Sequence, residues 1–262
     1  MLHTLPLAPD LRSACDCIVR MPSVANDPWQ NYLLAALPLA DRERLRPDLQ
    51  SVALLPGWPV HGAGEREPYL YFPTSGIVSR FHVTAEGDSM EIALTGREGV
   101  IGVASFLGGG STMSRAVVTS AGRAFRLKAA IVDDEFDRDS RLSHLLLRYT
   151  QALMVQIGQV AVCNRHHPLE QQLCRWILAC LDRMSSNQLD MTQELIAEKL
   201  GVRRESVTQA AGKLQEAGLI HYSRGHIAVL DRSGLEARVC ECYAVVRRET
   251  GRLLGAASPY RD

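Results

Sequence analysis

Arg204, Glu205, Thr208, Gln209 and Lys213 share one face of an expected helix, with Arg203 and Ser206 beside them. Guanidinium, carboxylate, hydroxyl, amide and ammonium groups in one short segment can hydrogen-bond base edges and phosphates in a major groove. Arg203, Arg204 and Lys213, with Arg224 further on, make a local basic patch in a chain whose formal net charge is zero. A neutral chain has no global basic field for nucleic acid, so such a patch has to act locally and gains from being doubled in a dimer.

Two other groups of residues have chemical potential. Residues 100–115 are rich in glycine and end in Arg115. A loop of this kind can aim backbone N–H groups at an anion, with the arginine as counter-charge. It lacks the GxxxxGK[ST] pattern of a P-loop. The seven cysteines are Cys15, Cys17, Cys163, Cys174, Cys180, Cys240 and Cys242. Neither C-x-C pair has the two-residue spacing usual for zinc or iron–sulfur sites. An odd count without a recognisable export signal points to reduced thiols in the cytoplasm. No metal and no cofactor are expected, and His166 and His167 beside Cys163 read as a polar hinge. His61 and His82 lie too far apart for a cupin-like metal site, so no catalytic residues and no enzyme are expected. Hydrophobic runs fall short of the roughly 18 residues a membrane span needs.

The elements that must present the first group are legible from residue 190 onward. Thr192 suits an N-cap, with Met191 and Ile196 as a hydrophobic staple around it. Leu195, Leu200, Val202 and Val207 supply apolar residues for packing across a turn, and Gly201 tolerates the positive φ that the turn needs. A second helix from about Arg204 to Ala217 buries Val207, Ala211, Leu214 and Gln215. Gly218 closes it. Residues 219–230 then form two short strands about Ser223-Arg224-Gly225, a wing. The sum is a winged helix-turn-helix that binds double-stranded DNA.

Upstream, 31–49 suggests two short helices broken at Pro38, with Leu33, Leu34, Leu37 and Leu45 facing a core. The period then shifts to two over 51–55, 69–72, 77–83, 90–94 and 117–119, short strands separated by turn signals such as Pro73-Thr74-Ser75-Gly76. These fit a compact barrel or jelly roll. Residues 140–165 carry the longest helical pattern, suited to a coiled-coil dimer. A helix with Leu173, Trp176, Ile177 and Cys180 buried opens the DNA-binding part. The expected class is α+β, divided into an N-terminal tail (1–27), a β-roll (28–139), a dimerisation helix (140–165), the winged helix-turn-helix (166–235), and a C-terminal helix and tail (236–262). A short amphipathic helix is expected in the first segment and another over 231–246, with 247–262 a charged tail.

This order of β-roll, long helix and winged helix resembles the Crp/Fnr family of bacterial transcription regulators over roughly residues 30–235. The family's recognition pattern is matched by Gly201, Arg204-Glu205-Ser206-Val207, Gly218-Leu219-Ile220 and Arg224-Gly225. The resemblance implies a cyclic-nucleotide-binding-like roll, a homodimer, near-palindromic promoter DNA and, for an activator, RNA polymerase as a partner. It implies that Arg204 and Glu205 read a G·C pair and that Thr192 contacts phosphate. Gln209 stands where a second arginine is usual, which implies a different half-site. Arg203 replaces a small capping residue. On the ligand side Gly102, Val103, Ala104, Ser114, Arg115 and Ala116 align with the effector loop. Val103 stands where a glutamate would hold a ribose hydroxyl. The effector is therefore expected to be something other than tightly bound cyclic AMP, with a cyclic-nucleotide receptor as the alternative reading.

Overall fold

The computed structural model describes residues 27–255 together with Ser258 and Tyr260. The expected N-terminal helix, Cys15 and Cys17 lie outside that range. The fold is α+β, and its first half is a β-roll. Strands β1 (Gln50–Leu54), β2 (Pro59–His61), β3 (Tyr69–Val83), β4 (Ser89–Thr95) and β5 (Ser114–Lys128) form one antiparallel sheet. Its order is β1-β5-β3-β4, with β2 also pairing to β5.

The expected turn at Pro73-Thr74-Ser75-Gly76 is a kink inside a single 15-residue strand. β3 keeps pairing with β5 across it by shifting register between Pro73 and Val78. The kink depends on glycine. Gly76 has φ +79°, and a Cβ there would lie 2.6 Å from the Ser120 carbonyl oxygen. Turn residues therefore bend the ladder here instead of ending it.

Helices α1 (Tyr32–Ala35) and α2 (Leu39–Leu45) break where Pro38 predicts. Asn31 fastens them to the roll. Its side-chain oxygen accepts from the Leu33 and Leu34 N–H groups, and its amide donates to the Pro73 and Gly99 carbonyls at 2.9 Å. Leu33, Leu34, Leu37 and Leu45 are buried as expected.

After α3 (Ala129–Asp137), helix α4 (Arg141–His166) runs for 26 residues, about 39 Å at 1.5 Å per residue. One face, including Leu142, Leu146, Tyr149 and Leu153, packs on the roll. The opposite side leaves Leu147, Met154 and Val162 exposed at 49%, 67% and 47%. The DNA-binding half follows as α5 (Leu169–Leu181), β6 (Gln188–Asp190), α6 (Gln193–Leu200), α7 (Arg204–Glu216), β7 (Ile220–Ser223) and β8 (His226–Val229).

The C-terminal part departs from expectation. The single helix over 231–246 is two, α8 (Arg232–Arg238) and α9 (Glu241–Leu254), and α9 takes in much of the expected tail. Burial explains the extension. α9 lies along α4, with Tyr243, Thr250, Leu253 and Leu254 buried, so its apolar residues have a surface to fold against.

Candidate nucleic-acid interface and the roll behind it

The helix-turn-helix is built by local rules. The Thr192 side chain accepts from the Leu195 N–H at 3.3 Å, the N-cap that opens α6. Gly201 ends α6 at φ +65°, and the Val202 N–H returns to the Ala197 carbonyl at 3.0 Å. At the end of α7, Gly218 has φ +71° and the Leu219 N–H reaches the Leu214 carbonyl at 3.0 Å. Both are Schellman closures, in which a left-handed glycine lets the chain reverse onto the last free carbonyls. Arg203 sits at the N-cap of α7 without a side-chain cap bond, so its guanidinium projects outward.

Val207, Ala210, Ala211 and Leu214 form the buried face of α7. Arg203, Arg204, Glu205, Thr208, Gln209 and Lys213 are exposed, and Ser206 is half-buried. The Thr208 hydroxyl donates to the Gln193 side chain at 2.8 Å, bracing the second helix on the first. Two expected packing residues fall elsewhere. Leu195 is 45% exposed, because Ile196, Ala197 and Leu200 occupy the inward face of α6. Gln215 is exposed too, and its side-chain oxygen accepts from the Tyr222 N–H at 2.7 Å, joining α7 to the wing.

At the wing tip Arg224 and Gly225 both have positive φ, +49° and +85°, between the paired residues Ser223 and His226. That is the two-residue hairpin whose twist matches its strands. The Met191 N–H donates to the Gly225 carbonyl at 2.7 Å, and the Tyr222 hydroxyl donates to the Met191 carbonyl. Thr192 and Arg224 are thereby held on the exposed surface beside each other, where a Cβ on Gly225 would lie 3.3 Å from Thr192 Cγ2.

The concealed side of α6 docks on the roll. Lys199 is buried, and its ammonium meets Glu91 at 2.7 Å, Ser79 at 2.9 Å and Thr119 at 3.1 Å. The Trp176 indole donates to the other Glu91 oxygen at 3.0 Å. A second buried pair joins Arg183 to Glu98 at 2.7 Å. A cleft of about 1240 Å³ lies between the β3–β4 hairpin and α6 with the start of α7, and Arg203, Arg204 and Glu205 line it.

The effector residues split into two groups. Gly102, Val103 and Ala104 are buried near the start of their loop, and Ser114 and Ala116 are buried on β5. Arg115 points the other way. Its guanidinium pairs with Glu198 of α6 at 2.8 Å and lies over the Phe81 ring. Successive residues of a strand face opposite sides, so Ser114, Arg115 and Ala116 do not line one pocket.

The arginine inside the roll is Arg80, which donates to the Ser114 hydroxyl at 2.9 Å. Nearby, the Ala104 N–H donates to Glu67 at 2.8 Å, and the other Glu67 oxygen lies 3.1 Å from His61 Nε2. Burial holds the His61 imidazole below its ordinary pKa, against the opposing pull of Glu67. Of these interior polar residues, Arg80 and Glu67 were not singled out from sequence. The available signal was Arg80, a charge within the apolar run Ile77–Val83.

A third set of donors converges at the end of α4. Cys163, His167, Cys240 and Cys242 have ligating atoms all within 4.8 Å of one another. His166 is not among them and is exposed.

Comparison with known proteins agrees with this geometry. Residues 171–238 match the family model of the Crp-like helix-turn-helix domain. The chain is 24% identical over 176 residues to a global nitrogen regulator of Nostoc sp., covering 63% of this chain and 78% of that protein. Among solved structures it is similar to FixK2 from Bradyrhizobium japonicum, with TM-score 0.62, 17% identity and coverage of 73% of this chain and 98% of the other. It is also similar to a transcriptional regulator of the Crp/Fnr family from Eubacterium rectale, with TM-score 0.64, 18% identity and coverage of 79% and 98%.

Proposed function

We propose that this chain is a transcription regulator of the Crp/Fnr type that works as a homodimer on near-palindromic promoter DNA, reading each half-site with α7, and its match to the Crp-like helix-turn-helix domain over residues 171–238 supports the reading. The observation that carries the reading is the division of α7. One side is sealed into the core, and the other is a solvent-facing row of Arg204, Glu205, Thr208, Gln209 and Lys213 beside the wing.

Arg204 would take guanine in two parallel bonds, Glu205 a cytosine amine, and Gln209 adenine. Thr192, Arg203, Ser206, Lys213 and Arg224 would hold phosphates and set the register. The exposed apolar residues Leu147, Met154 and Val162 on α4 are the natural seam for a second copy, and a two-fold dimer presents two recognition helices to a two-fold site. In the proposed division, residues 28–139 sense, 140–165 pair and 166–235 bind DNA. Where the regulator activates, its further partner is RNA polymerase. In the described residues no helix is long and apolar enough to cross a membrane.

The roll would signal through the buried contact Lys199–Glu91 and the exposed pair Arg115–Glu198, which join it directly to α6. Its effector is not assigned. A cyclic-nucleotide reading is disfavoured by Val103, by the Ala104 N–H already occupied by Glu67, and by the outward turn of Arg115.

Selection from a random duplex library, followed by fluorescence anisotropy at fixed salt with and without cyclic AMP, tests the proposal. A near-palindromic consensus bound by two chains, with affinity indifferent to the nucleotide, is expected. Failure to enrich any sequence would sink the operator reading, and tighter binding with cyclic AMP would restore the roll as a nucleotide receptor. Met154→Glu should turn the dimer into monomer in sedimentation at micromolar concentration. A dimer unchanged by it would move the seam away from α4.

A further inference from the structure

Cys163 lies in the last turn of α4 and His167 is the C-cap residue four positions on, its backbone N–H bonded to the Cys163 carbonyl. Cys240 is the N-cap residue of α9, and Cys242 lies in the first turn. Two short motifs far apart in the chain, C-x3-H and C-x-C, thus meet end to end. The Cys163 and Cys240 sulfurs are 3.6 Å apart, and Cys242 Sγ lies 3.6 Å from His167 Nδ1.

In a tetrahedral zinc site, with Zn–S near 2.3 Å and Zn–N near 2.0 Å, ligand atoms are separated by about 3.5–3.8 Å. Both measured separations have that value. The remaining ones, none beyond 4.8 Å, close with side-chain shifts of about 1 Å. An iron–sulfur cluster spreads its ligands over several metal atoms and would not gather four donors so tightly.

The surroundings are those of a metal site as well. His167 directs Nδ1 at the cysteines while its Nε2 lies 3.3 Å from the Glu241 carboxylate. A carboxylate behind a ligating imidazole fixes the ring and its tautomer. Arg175 donates to the Cys163 sulfur at 3.3 Å. Three thiolates around a divalent ion carry a net negative charge, which a guanidinium at that position offsets. The three cysteines are buried, as a closed structural site requires. Thiol packing alone accounts for the sulfurs but not for the His167–Glu241 pair or Arg175. A Cys163–Cys240 disulfide would leave Cys242 and His167 without a role.

We propose that Cys163, His167, Cys240 and Cys242 form a structural site for one zinc-type divalent cation, a staple joining the end of α4 and its hinge to α9. The staple holds the α4–α5 joint at Pro168, about which the DNA-binding half hangs, and secures the C-terminal helix along α4. Loading releases the thiol protons to solvent and changes no oxidation state.

Tag-free protein, purified without chelator, should contain one zinc per chain by elemental mass spectrometry. Cobalt replacement should give the sulfur-to-cobalt charge-transfer band and the intense visible bands of a tetrahedral ion. Cys240→Ser and Cys242→Ser should lose both signals. His167→Cys, which keeps four soft ligands, should retain them, as should Cys174→Ala, a buried cysteine outside the site. Glu241→Gln should weaken cobalt binding about tenfold. Chelation should speed amide exchange around residues 163–170 and 239–245 in the parent protein but not in Cys242→Ser. A parent protein that takes up no stoichiometric metal on anaerobic reconstitution would overturn the proposal. So would a cobalt spectrum that survives in the double variant C240S/C242S, or an iron–sulfur chromophore with inorganic sulfide.

Discussion

The outer face of helix α7 and the interior of the roll both carry charged and hydroxyl side chains, yet they end in opposite states. On α7, Arg203, Arg204, Glu205 and Gln209 face solvent with their recognition atoms turned outward. In the roll, the Ala104 N–H is bonded to Glu67 and the Ser114 hydroxyl to Arg80, while the second Glu67 oxygen lies against His61. A surface meant for a partner keeps its hydrogen-bonding groups available to water, which exchanges readily for a base edge or phosphate. Groups taken into a low-dielectric interior must find partners within the chain, because an unmet buried donor or acceptor costs about 1–3 kcal/mol. The two regions differ less in residue type than in where those residues obtain their hydrogen bonds.

The contrast is tested most severely at the seam between them. Lys199→Met should destabilise the protein by about 3–5 kcal/mol in urea denaturation, because it strands the buried Glu91 carboxylate. The double variant E91L/K199M should recover most of that loss, since it removes both charges together. A single variant without effect would mean that the contact between the halves is not held by this pair.

On the open side, Arg204→Ala should reduce discrimination between selected and random DNA by about 1–3 kcal/mol per half-site while leaving salt-sensitive binding largely intact. Equal losses on both DNAs would make Arg204 a phosphate contact. Arg224→Ala should weaken all sequences alike and lower the slope of log affinity against log salt by about 1.

The smallest effect belongs to His61. Its folded pKa is depressed by burial, so the unfolded chain binds the proton more readily. That contribution is fully present above the unfolded value of about 6.5 and is lost as pH falls from there toward the depressed folded value. His61→Gln should flatten this part of the stability–pH curve. An unchanged slope would assign the acid sensitivity to other groups.

Much of the DNA-binding half was legible in sequence because its rules are local. An N-cap at Thr192, left-handed glycines at positions 201 and 218, and spacings of three and four on α7 each act within a few residues. The errors there were small rotations, such as Leu195 placed inward. In the roll the same reasoning located strands but misread residues 73–76, where the alternative to a turn is a bulge that requires the β5 partner. It also grouped Ser114 with Arg115, although the two-residue period of a strand separates them. The C-terminal helix was shortened because its apolar face is justified only by α4.

By itself, then, the sequence determined whatever depends on chain neighbours: the caps, the turn glycines, the wing, the outward side chains of α7 and the length of α4. Contacts between distant segments were decided by tertiary structure alone. Lys199 reaches Glu91 across the two halves, Arg115 turns to Glu198, and the C-x3-H of α4 meets the C-x-C of α9. Helical and strand periods assign a residue to a face. Which other face it meets depends on how whole elements bury their apolar surfaces against one another, and that information is spread over the entire chain.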